Sequence, residues 1–310
     1  MNKKTIIWAI NPYEKNKTVQ LHSALFLQRL AKEFGASITP TYVLSPPTLF
    51  LPTDYFIPPN LADFVGSSKI KLHNILKKLK LKSLEPITVI TDEKSSLREN
   101  AKTLIRFAKK QNALFIFAPT HARSGLPRFW LGSFVENLLL YSDIPVFTIN
   151  PKIKLNVSIS SVIYPTDLTS ASKAAFKTFL PLAKKLRAKV ILYHQLRNFS
   201  AIEVNPEGLT AGSWEFYKEE LENIRVKKMQ EIQIWKDLAQ GAHVDCDFEL
   251  IQSRKSVVDS ILDTVKKRKI KLIALNTSSG PVESLFAGGI ARQLVRYSAA
   301  PVWVVHKEEQ

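Results

Sequence analysis

Tyr141-Ser142-Asp143-Ile144-Pro145-Val146-Phe147 and Tyr297-Ser298-Ala299-Ala300-Pro301-Val302-Trp303 are two renderings of one phrase, 156 residues apart. The same shift carries Gly132 onto Gly288 and Phe117-Ala118 onto Ile273-Ala274. It also carries Asn11 onto Asp167, at the far end of each unit. One constant shift that spans both ends of a unit marks a tandem duplication, and a repeat of this kind decides the fold before any single element does. The length of 310 residues agrees with two domains on a prior of roughly 100–200 residues each.

Within each copy, short apolar runs alternate with segments of helical period. In the first, the strand-like runs are Thr5–Ile10, Ile38–Val43, Ile87–Ile90, Leu114–Ala118 and Val146–Ile149. In the second they are Ser161–Tyr164, Val190–His194, Phe248–Ile251, Leu272–Leu275 and Val302–Val305. A fully apolar run such as Leu114-Phe115-Ile116-Phe117-Ala118 suits a strand covered by helices on both faces, as in a parallel sheet. Between the strands, Leu97, Ala101, Leu104, Ile105 and Ala108 form one helix face, with Arg98, Lys102, Arg106 and Lys109 outward. Val257, Val258, Ile261, Leu262 and Val265 repeat that pattern. Five strands per copy with intervening helices predict an α/β fold of two tandem, doubly wound, five-stranded parallel-sheet domains with right-handed crossovers. The expected domains are residues 1–150 and 156–310, joined by a short linker around Pro151 and Lys152 to Lys154. Each copy also carries an insertion: Ser45 to Ser68, rich in proline and aromatics, and Arg197 to Ser213, leading into a long helix from Trp214 to Ala239. Their large apolar groups favour a cap or a domain contact over disorder.

The bulk numbers bound the function. Hydrophobic residues are 45% and charged residues 23% of the chain, as in ordinary globular proteins. With one cysteine, Cys246, no intrachain disulfide can form, which fits a reducing compartment. The apolar stretch Thr5 to Ile10 is too short for a signal-peptide core, and no run approaches the roughly 18 apolar residues of a membrane span. The expected location is the cytoplasm. The net charge of +17 is spread over both copies, about +10 before Pro151 and about +7 after it. Such a surface suits an anionic partner, although no arginine-rich or aromatic-interleaved run accompanies it.

A doubly wound sheet binds ligands at the carboxyl ends of its strands, where strand order switches. The loop after the fourth strand reads Pro119-Thr120-His121-Ala122-Arg123-Ser124-Gly125-Leu126-Pro127-Arg128-Phe129-Trp130-Leu131-Gly132-Ser133. With its Arg-Ser-Gly-Leu interior and Leu-Gly-Ser end it resembles the Gly-x2-Gly-x9-Gly-(Ser/Thr) signature of the universal stress protein family. Asp167-Leu168-Thr169 at the end of a first strand, and the final Ile-Pro-Val and Ala-Pro-Val strands, resemble the same family over essentially the whole chain. The resemblance implies a Rossmann-like fold of the adenine nucleotide alpha hydrolase-like type and packing of the two copies through their last strands. It also implies ATP or AMP as ligand, with the strand-one aspartate on the nucleoside and the glycine loop on the phosphates. Carried onto this chain, the site residues are Asn11, Ala122, Arg123, Ser124, Gly125, Gly132 and Ser133 in the first copy. In the second they are Asp167, Asn276, Ser278, Gly280, Gly288 and Gly289.

Both copies depart from the pattern. Pro119 and Ala122 replace the first two glycines, so one amide donor and some backbone freedom are lost. Asn11 stands where the family has aspartate. The second copy keeps Asp167, but Leu275 and Ser278 replace glycines and Gly288-Gly289 lacks the hydroxyl. The expected function is therefore a non-catalytic stress-response or binding module with degenerate nucleotide loops. The alternatives are an ATP- or AMP-binding switch or slow ATPase in the second cleft, and a basic surface module for nucleic acid or anionic lipid. No catalytic residue and no metal site is expected, and no cofactor follows from the residues themselves. His243-Val244-Asp245-Cys246-Asp247 gathers metal-capable groups, but on a strand Cys246 would point away from His243, Asp245 and Asp247. The lysine-rich segment Lys69 to Lys82 reads as the second helix, with Leu72, Ile75, Leu76 and Leu79 inward.

Overall fold

A computed structural model describes residues 4–14, 17–45, 61–94, 96–120, 133–149, 153, 158–197, 211–277 and 289–306. The chain forms two compact units, Met1–Ser158 together with Thr277–Gln310, and Ile159–Asn276.

Unit 1 opens with β1 (Thr5–Ala9), α1 (Lys17–Phe34), β2 (Ser37–Leu44), α2 (Leu61–Leu79) and β3 (Thr88–Thr91). It continues with α3 (Leu97–Lys110), β4 (Phe115–Pro119), α4 (Ser133–Tyr141) and β5 (Val146–Ile149). The five strands are parallel in the order β3-β2-β1-β4-β5. Order reverses between β1 and β4, so their carboxyl ends frame the crevice of a doubly wound sheet. Strand β1 is buried along nearly its whole length because α1 and α3 bring apolar stripes to the sheet: Ala24, Leu27 and Leu30 from one, Ala101, Leu104 and Ala108 from the other.

Unit 2 holds β6 (Ser161–Pro165), α5 (Ser170–Leu186), β7 (Lys189–Arg197), α6 (Ala211–Gly241), β8 (Cys246–Ser253), α7 (Val257–Lys267) and β9 (Leu272–Thr277). Its strands are parallel in the order β9-β6-β7-β8. Thr169 caps α5 by accepting from the Ser172 amide, and Ser256 caps α7 by accepting from the Asp259 amide. These caps satisfy helix-end donors that burial would otherwise leave unpaired.

All ten expected strands are present. The fifth strand of the second copy, β10 (Val302–His306), follows α8 (Ile290–Tyr297) and pairs antiparallel with β5. The compact units therefore cut the chain before the end of the second repeat. Trp303 of β10 is fully buried and meets Phe34, Phe115 and Phe147 at ring-centroid distances of 5.5–5.8 Å. Covering the β5 edge removes a row of open backbone groups. Arg296 of α8 donates to Glu136 of α4 at 3.3 Å, a polar tie between the helices that flank the β5–β10 pair.

Two local expectations change. His243 adopts a left-handed conformation, φ 58°, in the turn before β8, so it does not share a strand face with Asp245 and Asp247. Those carboxylates lie in ion pairs, Asp245 and Asp247 with Lys189, and Asp247 also with Arg268. The long helix begins at Ala211, three residues before the expected Trp214, and runs to Gly241. Of the two insertions, residues 46–60 and 198–210 lie outside the described residues.

Candidate ligand-binding site

A cavity of about 330 Å³ opens at the carboxyl ends of β1, β2 and β4 in unit 1. Strand β1 supplies Trp8 and Ala9, followed by Ile10 and Asn11, and β4 supplies Ala118 and Pro119. Val19, Gln20 and Ser23 come from α1, Thr41 and Tyr42 from β2, Leu97, Asn100 and Leu104 from α3, and Phe134 and Val135 from α4. The switch in strand order is what lets helices from both faces converge there. Without a strand overhead, their first turns and the strand ends leave a hollow.

The walls are apolar with neutral hydrogen-bonding groups set among them. Gln20, Ser23, Thr41 and Asn100 are 9%, 0%, 1% and 6% exposed. Several are already engaged: Gln20 Nε2 donates to the Asn11 carbonyl at 3.3 Å, Ser23 Oγ to the Val19 carbonyl at 2.6 Å, and Asn100 Nδ2 to Ser45 Oγ at 2.8 Å. Two buried atoms in this wall have no hydrogen-bond partner, the Trp8 Nε1 donor and the Asn100 Oδ1 acceptor. Burial, with the nearby Tyr13, pushes the Tyr42 phenol up to about 12, so it stays neutral at physiological pH. Glu14 is the carboxylate of the lining.

Of the first-copy residues singled out in the sequence, Asn11 lines this cavity, and its bond is local. Asn11 is exposed and its Oδ1 accepts from the Tyr13 amide at 2.9 Å, closing the turn after β1. Ser133 opens α4, while Ala122, Arg123, Ser124, Gly125 and Gly132 lie outside the described residues. Gln20, Ser23, Tyr42 and Asn100 were not singled out. Their signal was a polar residue on an otherwise apolar face, as with Gln20 and Ser23 beside Ala24 and Leu27.

In unit 2 Asp167 ends the turn after β6. Its Oδ1 accepts from the Thr169 amide at 3.0 Å, from Thr169 Oγ1 at 2.8 Å and from Ser172 Oγ at 2.5 Å. Partial burial alone would raise this carboxyl, but the bonds from Ser172 and Thr169 outweigh it and hold the group below its ordinary value. His194, at the end of β7, lies with Nδ1 2.8 Å from the Thr166 carbonyl, and burial depresses its pKa. The repeat shift takes Trp8 to Tyr164, Gln20 to Phe176 and Ser23 to Phe179. The Tyr164 ring lies 4.9 Å from Phe176 and 5.2 Å from Phe179, and Phe176 lies 5.1 Å from Trp235 of α6. Where α1 brings an amide and a hydroxyl to a cavity, α5 brings two phenyl rings to an aromatic core.

The remaining second-copy residues divide similarly. Asn276 lies in β9, while Ser278, Gly280 and Gly288 lie outside the described residues. Gly289 caps α8 at φ 83°, a left-handed conformation that glycine adopts without steric cost. Its carbonyl accepts from the Gln293 amide at 2.7 Å, so this glycine starts a helix. At β8, burial pushes the Cys246 thiol up to about 12. Among the described residues no group of histidine, cysteine and carboxylate side chains could hold a metal, and no helix is long and apolar enough to cross a membrane.

A nucleotide would ask two things of unit 1. The base needs a mostly apolar hollow with a donor and an acceptor; the cavity wall is mostly apolar and includes Trp8 and Asn100, whose Nε1 and Oδ1 are buried and unmatched. The phosphates need amides and cations, and the loop that would supply them, residues 121–132, lies outside the described residues.

Comparisons with known proteins agree with the architecture. A crystal structure of a universal stress protein from Archaeoglobus fulgidus matches with a TM-score of 0.66 at 15% identity, covering 97% of this chain and 98% of that one. A functionally unknown protein from Pseudomonas aeruginosa matches with a TM-score of 0.59 at 12% identity, over 99% of this chain and 93% of that one. At such identities the likeness is one of fold. No curated protein matches the chain. The model of the universal stress protein family matches twice, over residues 9–150 and 159–306. The chain belongs to the universal stress protein family, as a tandem pair of its domains.

Proposed function

We propose that this protein is a non-catalytic binding module of the stress response, and that the carboxyl-edge cavity of unit 1 is where it takes a small molecule. The observation that carries this reading is the contrast between copies at equivalent positions. Gln20 and Ser23 border a hollow in unit 1, while Phe176 and Phe179 pack on Tyr164 in unit 2. A buried amide and hydroxyl are costly in a core unless they serve a ligand or are fully bonded. The polar side chains around the hollow are amides, hydroxyls, the Tyr42 phenol and the Glu14 carboxylate, groups that orient a ligand by hydrogen bonding.

An ATP- or AMP-binding switch in unit 2 is less well supported. Its strand-one aspartate spends Oδ1 on three local donors. Calorimetry with ATP and AMP, together with a nucleotide-turnover assay on the full chain, tests the proposal. The expected result is no turnover above buffer, and any binding sensitive to Ser23→Phe. ATP hydrolysis that survives Ser23→Phe and is lost in Asp167→Ala would establish the unit 2 switch instead.

One observation favours a further surface role. On α2 and just beyond it, Lys69, Lys71, Lys77, Lys78, Lys80 and Lys82 are exposed, and Ile70 between them is 64% exposed. Such a face suits an anionic partner through electrostatics that salt screens. Binding to RNA, DNA or anionic vesicles should then weaken steeply between low and physiological salt; no binding at low salt rules the role out.

A further inference from the structure

We propose that α2 docks this protein on an anionic lipid surface, with its lysines at the headgroup phosphates and Ile70 seated among them in the interface. This rests on the reading of the lysine face as a contact for an anionic partner, and names that partner.

Helix geometry builds the face. From Phe64 to Leu84 the chain carries Lys69, Lys71, Lys77, Lys78, Lys80 and Lys82 and no acidic residue. Helix α2 buries Ser68, Leu72 and Leu76. Ile70 and Lys77, about two turns apart, lie on the opposite, outward side, with Lys71 and Lys78 on one flank and Lys69 on the other. All six lysines are exposed, and Ile70 and Phe64 are 64% and 42% exposed. The helix dipole accounts for Lys77 and Lys78 in the last turn, but not for Lys69 and Lys71 in the middle. Asp63 sits in the first turn, about 10 Å along the axis from Ile70.

The charge of this face is uncompensated. Among the described residues no carboxylate pairs with Lys69, Lys77, Lys78, Lys80 or Lys82, and Lys71 Nζ lies 4.1 Å from the centre of the Tyr13 ring. By contrast, Lys189 meets Asp245 and Asp247, Arg268 meets Asp247 and Glu249, and Arg296 meets Glu136. Neighbouring like charges on a helix repel. A negative surface that draws them together offsets what the fold leaves unbalanced.

Chemistry selects lipid over nucleic acid. Lysine is a point charge without arginine's fork, whereas single-stranded nucleic acids are held on aromatic platforms and arginine planes. Val65 to Leu84 contains no arginine, phenylalanine, tyrosine or tryptophan. The neighbouring Tyr13 ring is engaged by Lys71 and lies 6.0 Å from the Tyr42 ring. An exposed isoleucine gains little from a phosphodiester backbone. At an anionic bilayer it gains apolar burial, while the lysines clustered around it meet the headgroups.

Co-sedimentation of the full chain with phosphatidylcholine vesicles, with and without phosphatidylserine, at low and physiological salt tests this. An RNA hairpin and a DNA duplex are titrated in parallel by filter binding. Three variants accompany the wild type. One is Lys69→Gln/Lys77→Gln/Lys78→Gln on the face, and the second is Ile70→Gln at its centre. The third, Lys266→Gln/Lys267→Gln/Lys269→Gln at the end of α7, removes equal charge at exposed positions elsewhere. Circular dichroism melts verify that each folds. The expected result is binding to phosphatidylserine vesicles at low salt and none to neutral ones. It should weaken at least tenfold in the α2 triple variant and at least threefold in Ile70→Gln, and stay within twofold of wild type in the α7 variant. RNA or DNA bound more tightly than vesicles, and indifferent to Ile70→Gln, would overturn the lipid assignment while leaving the anionic contact. Equal weakening by both triple variants would overturn the face, since overall charge alone would then account for binding. No binding to vesicles or nucleic acid at low salt would overturn the reading beneath it as well.

Discussion

The aspartate at the end of β6 shows how one residue type can serve two ends. In the family pattern it meets a nucleoside; here Asp167 Oδ1 collects three hydrogen bonds from Thr169 and Ser172 and ties the strand end to the first turn of α5. Replacing it with alanine should cost about 1 kcal/mol, since it removes the hydrogen bonds that hold the cap residue Thr169 and Ser172, read from urea denaturation at pH 7. The sign of the pH dependence follows from the shift. The folded-state pKa is lowered, so the stabilisation is fully present above the unfolded value near ~3.9 and is lost as pH falls through the folded value. The gap between wild type and Asp167→Ala should therefore shrink below about pH 4; a gap constant down to pH 2 would mean that the carboxylate charge contributes nothing. Cys246 gives a second residue-scale expectation. Its thiol, pushed up to about 12 by burial, is almost wholly protonated at pH 8, and only the thiolate reacts with disulfide reagents. Modification should be slow in the folded chain and accelerate in urea; equal rates in both would contradict the burial.

Among the elements, α1 and α5 make the clearest comparison because one shift aligns them. Ser23 and Phe179 occupy the same place on the inner face, and each is fully buried. Ser23→Phe should accordingly stabilise unit 1 by about 1–2 kcal/mol, since filling an existing hollow adds apolar burial. It also removes a hydroxyl whose bond to the Val19 carbonyl competes with the helix ladder. A fall in melting temperature instead would mean that the hollow cannot admit a ring without strain. In the opposite sense, Trp235→Ala should cost about 3–5 kcal/mol, because α6 fills its part of unit 2 with that ring against Phe176. These pairs also mark how far the sequence could be read. The strands were legible because runs such as Phe115-Ile116-Phe117 are apolar throughout, and parallel sheets under helices require that. The strand-end location of the site was legible because Asn11 and Pro119 follow the strands that flank the switch. The cavity wall was not, because Gln20 and Asn100 lie far apart in the chain and only packing of α1 and α3 on the same strand brings them together. Nor could the sequence alone tell that Asp167 would turn inward to its own helix, since that depends on the rotamers of Thr169 and Ser172.

At the scale of the whole molecule, the duplication supplies ten strands, five from each copy. The last strand of the second copy, β10, joins β5 of the first antiparallel, with Val302 opposite Thr148 and Val304 opposite Val146. The β5 edge is thus covered from within the same chain. The pairing is held by more than its backbone bonds. Trp303 sits in an aromatic cluster with Phe34, Phe115 and Phe147, and Arg296 reaches Glu136. The aromatic contacts should dominate, because that ion pair is partly exposed and such pairs contribute about 0–1 kcal/mol. Trp303→Ala should therefore cost about 3–5 kcal/mol, whereas Arg296→Met should change stability by less than about 1 kcal/mol. Hydrogen exchange locates the effect. In Trp303→Ala the amides of Val146–Ile149 should lose protection while those of β7 and β8 keep theirs, since local stability follows local packing. Uniform loss of protection through both units would show that the chain unfolds as one cooperative body and that β10 anchors all of it, not the edge it covers.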